Sequence, residues 1–447
     1  MKLFGGTSGA RTANGRRVSG KKNVKKRNPF RALAVILALI LLAEGCYFFV
    51  LFTKNSFISY WRDAYIETAM DTLNHKWLAT AIFPQDLIDE VMSRRAEALQ
   101  SQIDKESTWG PQEPAAPVEP DVIPEETEPE DSDNVQIDME VIPEEDPQEA
   151  AREAFYELFH EIDEATMQVY LSKHPEVLAN GWENIRINEA GMDDEGTEIR
   201  TIHDEQVLAI DVPNKLLLVR VEGGGLDFYQ GVLAICKDNT RLSLKVSSQL
   251  GVAGEYAGTI AAAHNGLLAV SASGYDDPDG NGNGGLVAGY TMSDGVVRNA
   301  YNMGWGFKRL ELHEDNLLYI KDASSSIGEG TTDAMEFQPA LIIDGEIVVD
   351  ANCGWTGLHP RSCVGQSDKF EILMLVIEGR MPTRSVGTHV IECAEILKRH
   401  GCMQAMNMDG GTSAIMWYDG EYITKCNNAA LPSGRPMPNA WVYGKES

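Results

Sequence analysis

The fold is decided by FEILMLVIEGR at residues 370–380 and by MQAMNMDGGTSAIMWYDG at residues 403–420. Each stretch has an apolar run bounded by turn-forming residues, which predicts a buried strand. Residues 388–400, between them, have helical spacing and are followed by a glycine, which predicts a helix that ends there. If the two strands run parallel, Glu378 and Asp409 lie on the same rim of a sheet. At neighbouring or next-but-one positions their carboxylates would be roughly 5–10 Å apart.

Further short apolar runs alternate with Gly, Asn and Asp turns from about residue 195 onward, and they predict more strands. Asp344 and Asp419 each precede a glycine between apolar runs, which predicts two hairpins. With one clear helix among them, the runs predict an α+β fold, in which residues 195–447 form a C-terminal domain built on a mixed sheet. A domain of about 250 residues can bury a substantial core unaided. The runs are at residues 216–221, 231–236, 266–273 and 340–349.

The N-terminal region combines a basic stretch with a long apolar one. Residues 1–31 hold ten Lys or Arg and no acid, and residues 30–52 are apolar except for Arg31 and Glu44. About 20 apolar residues are enough to cross a bilayer as a helix. We therefore predict a cell-membrane protein with one transmembrane helix over residues 30–52, a cytoplasmic basic tail over residues 1–29 and an extracytoplasmic remainder. The alternative is a cleaved signal peptide, although the apolar run is longer than such peptides usually have.

Three segments separate this apolar run from the C-terminal domain. Residues 53–105 have helical spacing and predict a stalk, a dimerisation helix that would make a homo-oligomer, or a small domain. Residues 106–150 are predicted to be a disordered acidic linker, because residues 111–150 contain fifteen acids, eight Pro and no Lys or Arg. Residues 151–194 return to helical spacing and lead into the C-terminal domain.

The formal net charge of −29 argues against nucleic acid as a partner, because binding to a phosphate backbone needs a basic surface. It does not exclude one phosphodiester, since a local group of arginines can hold a single phosphate. Arg361, Arg380 and Arg384 are close in sequence to the two deciding stretches. The competing interpretation is that these arginines pair with surface acids.

The turn after Asp409 has the composition of an anion-binding loop. Gly410 and Gly411 allow a tight turn whose backbone N–H groups face an anion. Thr412 and Ser413 add hydroxyl donors. Together with paired carboxylates and arginines, this turn suits a substrate that has both a glycosidic bond and a phosphate. The alternative is a simple hairpin turn.

Several stretches resemble, in the right order, the signature blocks of the phosphodiester glycosidase family. That family includes the enzyme that uncovers mannose 6-phosphate on lysosomal enzymes and many bacterial proteins associated with exopolysaccharide biosynthesis. The resemblance covers residues 195–445, and the region from the apolar run to AMDTLNHKWLAT (69–80) resembles membrane-anchored clostridial-type members more weakly. The blocks are SASGYDDPDGNGNGG (271–285), GLVAGYTMSDG (285–295), HPRSCVGQ (359–366), VIEGR (376–380), SVGTHVIECAEILKRHGC (385–402) and NMDGGTSAIMWYDG (407–420).

The resemblance implies hydrolysis of a sugar-1-phosphodiester at the sugar C1–O bond, which releases the sugar and leaves a phosphomonoester. By motif, Arg361 matches a phosphate-contacting arginine, and Asp409 matches the acid most often proposed to be catalytic. Glu378 stands where the family usually has Asp. Ser271, at a ligand-contacting position, stands where the family usually has Asn, and Thr412 replaces the usual third Gly.

Asp409 and Glu378 are therefore the predicted catalytic pair, one assisting the leaving group and the other acting as nucleophile or activating water. Arg361, with Arg380 or Arg384, would neutralise the departing phosphate. If this enzyme hypothesis holds, we expect Glu378, Asp409 and Arg361 to share one cleft.

Two other hypotheses belong to different classes of protein. One is a catalytically weakened domain that binds an anionic glycan or a partner protein, which the residues at Ser271 and Glu378 favour. The other is a structural surface protein whose stalk oligomerises. His359 is either a proton shuttle or, as is more common, a packed loop histidine.

Metal and disulfide chemistry give two further expectations. Asp277, Asp279 and Asn281 alternate as calcium ligands do, but the Glu that closes an EF-hand loop is missing, so a Gly-rich active-site loop is the preferred interpretation. The cysteines after the apolar run permit disulfides between Cys402 and Cys426 or between Cys353 and Cys363, and free buried thiols are the alternative.

Overall fold

The computed structural model describes residues 29–72, 75–109, 146–304, 306–350 and 357–446. Nearly all of the predicted basic tail and most of the predicted acidic linker lie outside the described residues, as does Cys353. The chain divides into two compact units, residues 1–59 and residues 60–447. Most of the helical segment predicted as residues 53–105 is therefore in the same compact unit as the C-terminal domain.

The helices of the described residues confirm the predicted helical regions. One of them contains a 20-residue apolar stretch, Leu33–Phe52, with a mean hydropathy of 2.5, which is long and apolar enough to cross a membrane. A signal sequence near the N-terminus satisfies the same criteria. The helices are α1 (Pro29–Phe52), α2 (Ser56–Met70), α3 (Trp77–Thr80), α4 (Gln85–Gln102), α5 (Pro147–Leu158), α6 (Glu164–Lys173), α7 (Ala257–Ala263) and α8 (Val390–Arg399).

The strands complete the predicted α+β fold. They are β1 (Arg186–Asn188), β2 (Gln206–Asp211), β3 (Leu216–Gly223), β4 (Tyr229–Cys236), β5 (Leu242–Val246), β6 (Gly266–Ser271), β7 (Thr291–Ser293), β8 (Val296–Asn299), β9 (Lys308–His313), β10 (Leu318–Asp322), β11 (Thr331–Phe337), β12 (Ala340–Ile343), β13 (Glu346–Ile347), β14 (Arg361–Ser367), β15 (Ile372–Ile377), β16 (Cys402–Asn407), β17 (Met416–Tyr418), β18 (Glu421–Tyr422) and β19 (Asn439–Gly444).

Within the described residues these strands form three sheets. A nine-stranded sheet has the order β1-β2-β3-β4-β15-β14-β16-β12-β13, and two five-stranded sheets have the orders β10-β9-β11-β7-β8 and β18-β17-β6-β19-β5. The pairs β12–β13 and β17–β18 confirm the hairpins predicted at Asp344 and Asp419. Both aspartates have positive φ, as does the glycine that follows each of them, which is the backbone of a tight hairpin turn.

The strands that position the site are β15, β14 and β16, in that order across the large sheet. Val364 of β14 pairs antiparallel with Met374 of β15 on one side and with Met406 of β16 on the other. β15 and β16 therefore run parallel at next-but-one positions, and their carboxyl ends meet at one edge. β14 starts at this same edge, with Arg361.

Alternating side chains of the large sheet build two cores. Leu217 and Val219 of β3 face a cluster that contains Phe155 of α5 and Leu397 of α8. The neighbouring residues of the same strand, among them Leu218, face a second cluster shared with the two smaller sheets. The lead-in helices α5 and α6 are thus part of the core of the domain that they precede.

The helices predicted as a stalk contact the C-terminal domain. Gln102 Nε2 donates to the carbonyl oxygen of Val348 at 2.9 Å, and Trp109 Nε1 donates to that of Leu318 at 2.8 Å. The carboxylate of Asp344 accepts hydrogen bonds from the backbone N–H groups of Thr108 and Trp109. The bond from Gln102 holds the end of the predicted stalk on the sheets, and the bonds of Thr108 and Trp109 show that the first residues of the predicted disordered linker are ordered there as well.

The disulfide predicted between Cys402 and Cys426 is not formed, because both residues are free buried thiols. Cys363 is also free, and its predicted partner Cys353 lies outside the described residues. Cys402 is a strand residue of the large sheet and Cys426 is packed in a separate apolar cluster, so the two are assigned to different cores.

A buried ion pair joins the end of the lead-in helices to the large sheet, and it gives a stability prediction. Lys237 Nζ lies 2.6 Å from carboxylate oxygens of both Glu161 and Glu371, and its side chain is 1% exposed. Lys237→Met leaves two carboxylates buried without their cation, so we expect the free energy of unfolding to fall by about 3–5 kcal/mol. The exposed pair of Lys445 and Asp419 supplies the control, because Lys445→Met should cost less than about 1 kcal/mol. Equal losses for the two variants in urea titrations would contradict this account.

Candidate active site

A cleft of about 940 Å³ lies where β14 begins and β16 ends. Arg361, Met408 and Asp409 line it, and backbone hydrogen bonds hold this edge together. Met408 N–H donates to Ser362 O at 2.8 Å, and Asp409 N–H donates to Ala272 O at 3.0 Å. Of the predicted site residues, those that line the cleft are His359, Arg361, Arg380, Asp409, Gly410, Gly411, Thr412 and Ser413.

Of the two predicted catalytic carboxylates, Asp409 is the one that lines the cleft. Burial raises its pKa to about 6, against a hydrogen bond from Ser413 and the charge of Arg435, which favour the ionised form. Ser271 does not line the cleft. Its hydroxyl donates to the backbone carbonyl oxygen of Asp409 at 2.7 Å. Serine at this position thus fixes the backbone under the acid instead of contacting a ligand.

The turn after Asp409 is a short 3₁₀ helix over Gly411–Ser413, and two of its backbone N–H groups already have acceptors within the protein. Gly411 N–H donates to Pro360 O at 3.1 Å, and Ser413 N–H donates to Gly410 O at 3.1 Å, so these donors are already used. Gly411 has φ of +60°, and a Cβ atom on it would lie 3.3 Å from Arg380 Nη1. Glycine is therefore required because a guanidinium packs against the turn.

Two arginines of the cleft, the buried Arg361 and the half-buried Arg380, form no ion pair with a described carboxylate. Arg361 donates to the carbonyl oxygens of Thr388 at 3.1 Å and Gly357 at 2.8 Å. Arg380 donates from Nη2 to Nδ1 of His359 at 3.0 Å. Among the carboxylates that the structure describes, none lies within 4.0 Å of either guanidinium. Burial lowers the pKa of both groups, and the charge of Arg361 lowers that of Arg380 further.

Glu378 and Arg384 are not brought into this cleft, which corrects their predicted places in the site. Arg384 Nη2 donates to Glu378 Oε1 at 3.1 Å and its Nε donates to the other oxygen. Lys425 N–H also donates to Glu378 Oε1, at 2.7 Å, and Arg384 Nη1 donates to Asp193 at 3.1 Å. Because the two side chains satisfy each other, neither is available to a ligand in the cleft. Of the three residues expected to share one cleft, Asp409 and Arg361 do so and Glu378 does not.

His359 is a packed histidine between charged partners. Its Nδ1 accepts from Arg380, and its Nε2 lies 3.3 Å from Oδ2 of Asp71. Burial lowers the pKa of His359 to about 4, although Asp71 opposes this shift, so the ring is neutral at pH 7. Nδ1 thus accepts from Arg380, whereas Nε2 faces the carboxylate of Asp71 without meeting hydrogen-bond geometry.

Sequence reasoning missed several polar residues of the cleft. Oε1 of Glu336 and of Gln338 and Oδ1 of Asn407 are buried and have no hydrogen-bond partner. Buried polar atoms are normally paired, so such a group indicates a place for a polar ligand. Burial also raises the pKa of Glu336. Only the tertiary fold brings these residues together, because Glu336 ends β11 of a different sheet.

Asp277, the first of the alternating residues considered as calcium ligands, is paired with an arginine. Its carboxylate is held by Arg435, with Nη1 to Oδ2 at 2.5 Å and Nη2 to Oδ1 at 2.8 Å. A guanidinium at this distance disfavours a second cation. The side chain of Asp279 lies outside the described residues. The alternative, a glycine-rich loop beside the active site, agrees with the presence of Asp277 and Gly280 in the cleft wall.

Within the described residues, one group of side chains has the spacing of metal ligands: His160, Glu161 and Glu371. The ammonium group of Lys237, 2.6 Å from both carboxylates, occupies the position that a cation would take. These residues therefore fit a structural ion pair and not a metal centre.

Comparisons with known proteins agree with the resemblance in the sequence. Residues 264–443 match the family model of the phosphodiester glycosidases. The SPbeta prophage-derived uncharacterized protein YomE of Bacillus subtilis (strain 168) is 24% identical over 172 residues, or 36% of this chain and 26% of YomE. The chain thus spans about a quarter of the length of that curated relative.

Two solved structures are similar to this chain. The catalytic domain of zebrafish N-acetylglucosamine-1-phosphodiester alpha-N-acetylglucosaminidase, auto-inhibited by its pro-peptide, has 17% identity and a TM-score of 0.43, covering 52% of this chain and 84% of that one. A hypothetical protein from Synechocystis has 12% identity and a TM-score of 0.37, covering 55% and 65%. The family resemblance is confirmed by the family model: residues 264–443 of this chain match the phosphodiester glycosidases.

Proposed function

We propose that this protein is a hydrolase that cleaves the sugar C1–O bond of a sugar-1-phosphodiester. The observation that carries the proposal is a pair of guanidinium groups, the buried Arg361 and the half-buried Arg380, which have no described carboxylate partner within 4.0 Å in a cleft that also holds Asp409. A buried charge without a counterion is costly, and a phosphodiester anion supplies that counterion. The family match at residues 264–443 supports the same reaction class.

The reaction balances with the residues of the cleft alone. Water attacks C1 of the sugar, directly or after a covalent step on Asp409, and its proton passes to a carboxylate. The C1–O bond breaks, and its electron pair leaves with the phosphate, whose bonds to phosphorus all remain intact. Arg361 and Arg380 neutralise the charge that grows on this leaving group.

Asp409 in its ionised form acts as the nucleophile or base. Glu336 takes the place of Glu378 as the second carboxyl group, because it lines the cleft and its Oε1 accepts no hydrogen bond, although Arg309 Nη1 lies 3.6 Å from it. Its other oxygen accepts from the backbone N–H groups of Tyr290 and Met303, which fixes its direction. A phosphate is already a good leaving group, so Glu336 orients it more than it activates it.

The setting of the reaction is proposed from the N-terminal half of the chain. The helix α1 would anchor the protein, since 20 of its residues are apolar enough to span a bilayer and most of their side chains are exposed. The ten basic residues before Ala32 would stay on the cytoplasmic side. The acidic linker would act as a spacer that holds the domain off a negatively charged surface, and the substrate would be a phosphodiester-linked glycan of a surface polymer outside the cell.

A second candidate function is binding of an anionic glycan without turnover. Ser271 favours it, because its hydroxyl is used on the backbone of Asp409 and offers nothing to a ligand. Hydrolysis of a panel of α- and β-linked aryl glycosyl phosphodiesters separates the two functions: turnover supports the enzyme, and saturable binding without turnover supports the binding domain.

Asp409→Asn should lower kcat by at least about 100-fold, because a positioned carboxylate contributes about 10²–10⁴. In the unmodified chain kcat/KM should fall as the pH decreases through about 6, where Asp409 takes up its proton. The free energy of unfolding should instead fall as the pH rises through about 6, since burial penalises the ionised form of Asp409. The Asp409→Asn variant should lack this pH dependence of stability. Asp419→Asn, on an exposed aspartate, is the control, and an active Asp409→Asn would exclude this role.

Arg380→Met should weaken binding of inorganic phosphate by roughly 10- to 100-fold, because it removes charge-assisted hydrogen bonds. Arg384→Met, four residues along the same loop, should leave the affinity unchanged, since Arg384 is paired with Glu378 outside the cleft. Isothermal titration calorimetry measures both. If the larger loss came from Arg384→Met, the anion site would lie elsewhere.

Glu336→Gln should reduce kcat by about 10- to 100-fold with little change in phosphate affinity, because the amide keeps the backbone contacts but loses the acidic proton. Glu378→Gln weakens the pair with Arg384, so it is expected to lower the free energy of unfolding and to leave kcat nearly unchanged. If kcat fell more in Glu378→Gln than in Glu336→Gln, Glu378 would again be the second acid.

A further inference from the structure

We infer that the end of helix α2 is part of the active site, and that Asp71 is a positioning residue for the phosphate-binding arginines. This inference rests on the proposed function. Asp71, Thr72, His75 and Arg95 all line the cleft, yet they precede the family-matched residues 264–443. The N-terminal helices therefore add a wall to a site that the matched domain does not complete alone.

Side chains at the end of α2 hold the loop that precedes β14. Glu67 Oε2 accepts from the backbone N–H of Gly357 at 2.9 Å, and Thr68 Oγ1 accepts from that of Leu358 at 3.0 Å. Glu67 is 1% exposed, so its bond is shielded from water. The carbonyl oxygen of Gly357 in turn accepts from Arg361 Nη2 at 2.8 Å. A shift of this loop therefore shifts Arg361.

Asp71, one turn further along, reaches the next residue of the same loop. Its Oδ2 lies 3.3 Å from His359 Nε2, and His359 Nδ1 accepts from Arg380 Nη2. The negative charge of Asp71 keeps the proton on Nε2, so Nδ1 stays an acceptor and holds Arg380 in one orientation. Asp71, His359 and Arg380 thus form a chain from the helix to the anion site.

Asp71 is itself fixed. Arg95 of α4 binds its carboxylate through both Nη atoms, at 2.7 and 2.9 Å. Although burial acts to raise the pKa of Asp71, bonds from His359 and Arg95 hold it below its usual value, so the carboxylate is charged at all physiological pH. The pairing also neutralises Arg95. Arg361 and Arg380 are then the arginines of the cleft that have no described carboxylate within 4.0 Å.

The test uses the full chain in detergent micelles, with inorganic phosphate as the probe. Asp71→Asn should raise the Kd for phosphate about 10-fold, Asp71→Glu should recover part of that loss, and Asp86→Asn, on an exposed aspartate of α4, should have no effect. Thr68→Val removes the acceptor for Leu358 N–H, together with the local bond from the same hydroxyl to Ala64 O within α2, so hydrogen exchange at Leu358 should accelerate and the Kd should rise about threefold. Thr68→Val keeps the inference testable if Asp71→Asn fails to fold.

The outcomes separate this inference from the proposed function. If the unmodified chain binds no phosphate and hydrolyses no glycosyl phosphodiester, the proposed function fails and this inference fails with it. If the unmodified chain binds phosphate and both variants bind it within twofold of the same Kd, this inference alone is overturned. Tighter binding or faster turnover in the variants would also overturn it, because it would mean that α2 obstructs the cleft.

Discussion

Arg361 and Arg380 bring two guanidinium charges into a cleft where their described hydrogen-bond partners are carbonyl oxygens and a neutral imidazole, and no described carboxylate lies within 4.0 Å of either group. A protein gains no stability from such a charge unless something pairs with it. Most arginines around them are neutralised in place: Arg95 by Asp71 and Arg435 by Asp277. Arg361 and Arg380 keep their charge without such a partner, and this imbalance is the basis of the proposed anion site.

The large sheet supplies the geometry that this imbalance needs. β14 lies between β15 and β16, so an arginine that begins one strand sits beside an acid that follows another. The close turn at Gly411 lets Arg380 pack against it. Outside the matched domain, α2 and α4 fix the loop that precedes β14. The cleft is thus assembled from strand ends that are adjacent only because of the order of strands in the sheet.

The sequence predicts the strands, helix and turns around the site better than it predicts which side chains pair with one another. The apolar runs at residues 370–380 and 403–420 predict both strands and the helix between them, and the Asp-Gly pairs predict the hairpins. The sequence does not distinguish Arg380 from Arg384, because they lie only four residues apart in one loop. The structure places Arg380 in the cleft and pairs Arg384 with Glu378 outside it. Asp71 was missed for a related reason: almost 290 residues separate it from His359, and no local pattern marks the contact.

The central claim is that the C1–O bond of the sugar breaks and that the phosphate leaves with all its oxygens. The direct measurement is hydrolysis of a glycosyl phosphodiester in water enriched in ¹⁸O, followed by mass spectrometry of the phosphomonoester product. The account predicts that the phosphomonoester contains no ¹⁸O, because water attacks carbon. One ¹⁸O atom in the phosphomonoester would mean attack at phosphorus, and the arginine pair would then belong to a phosphodiesterase and not to a glycosidase.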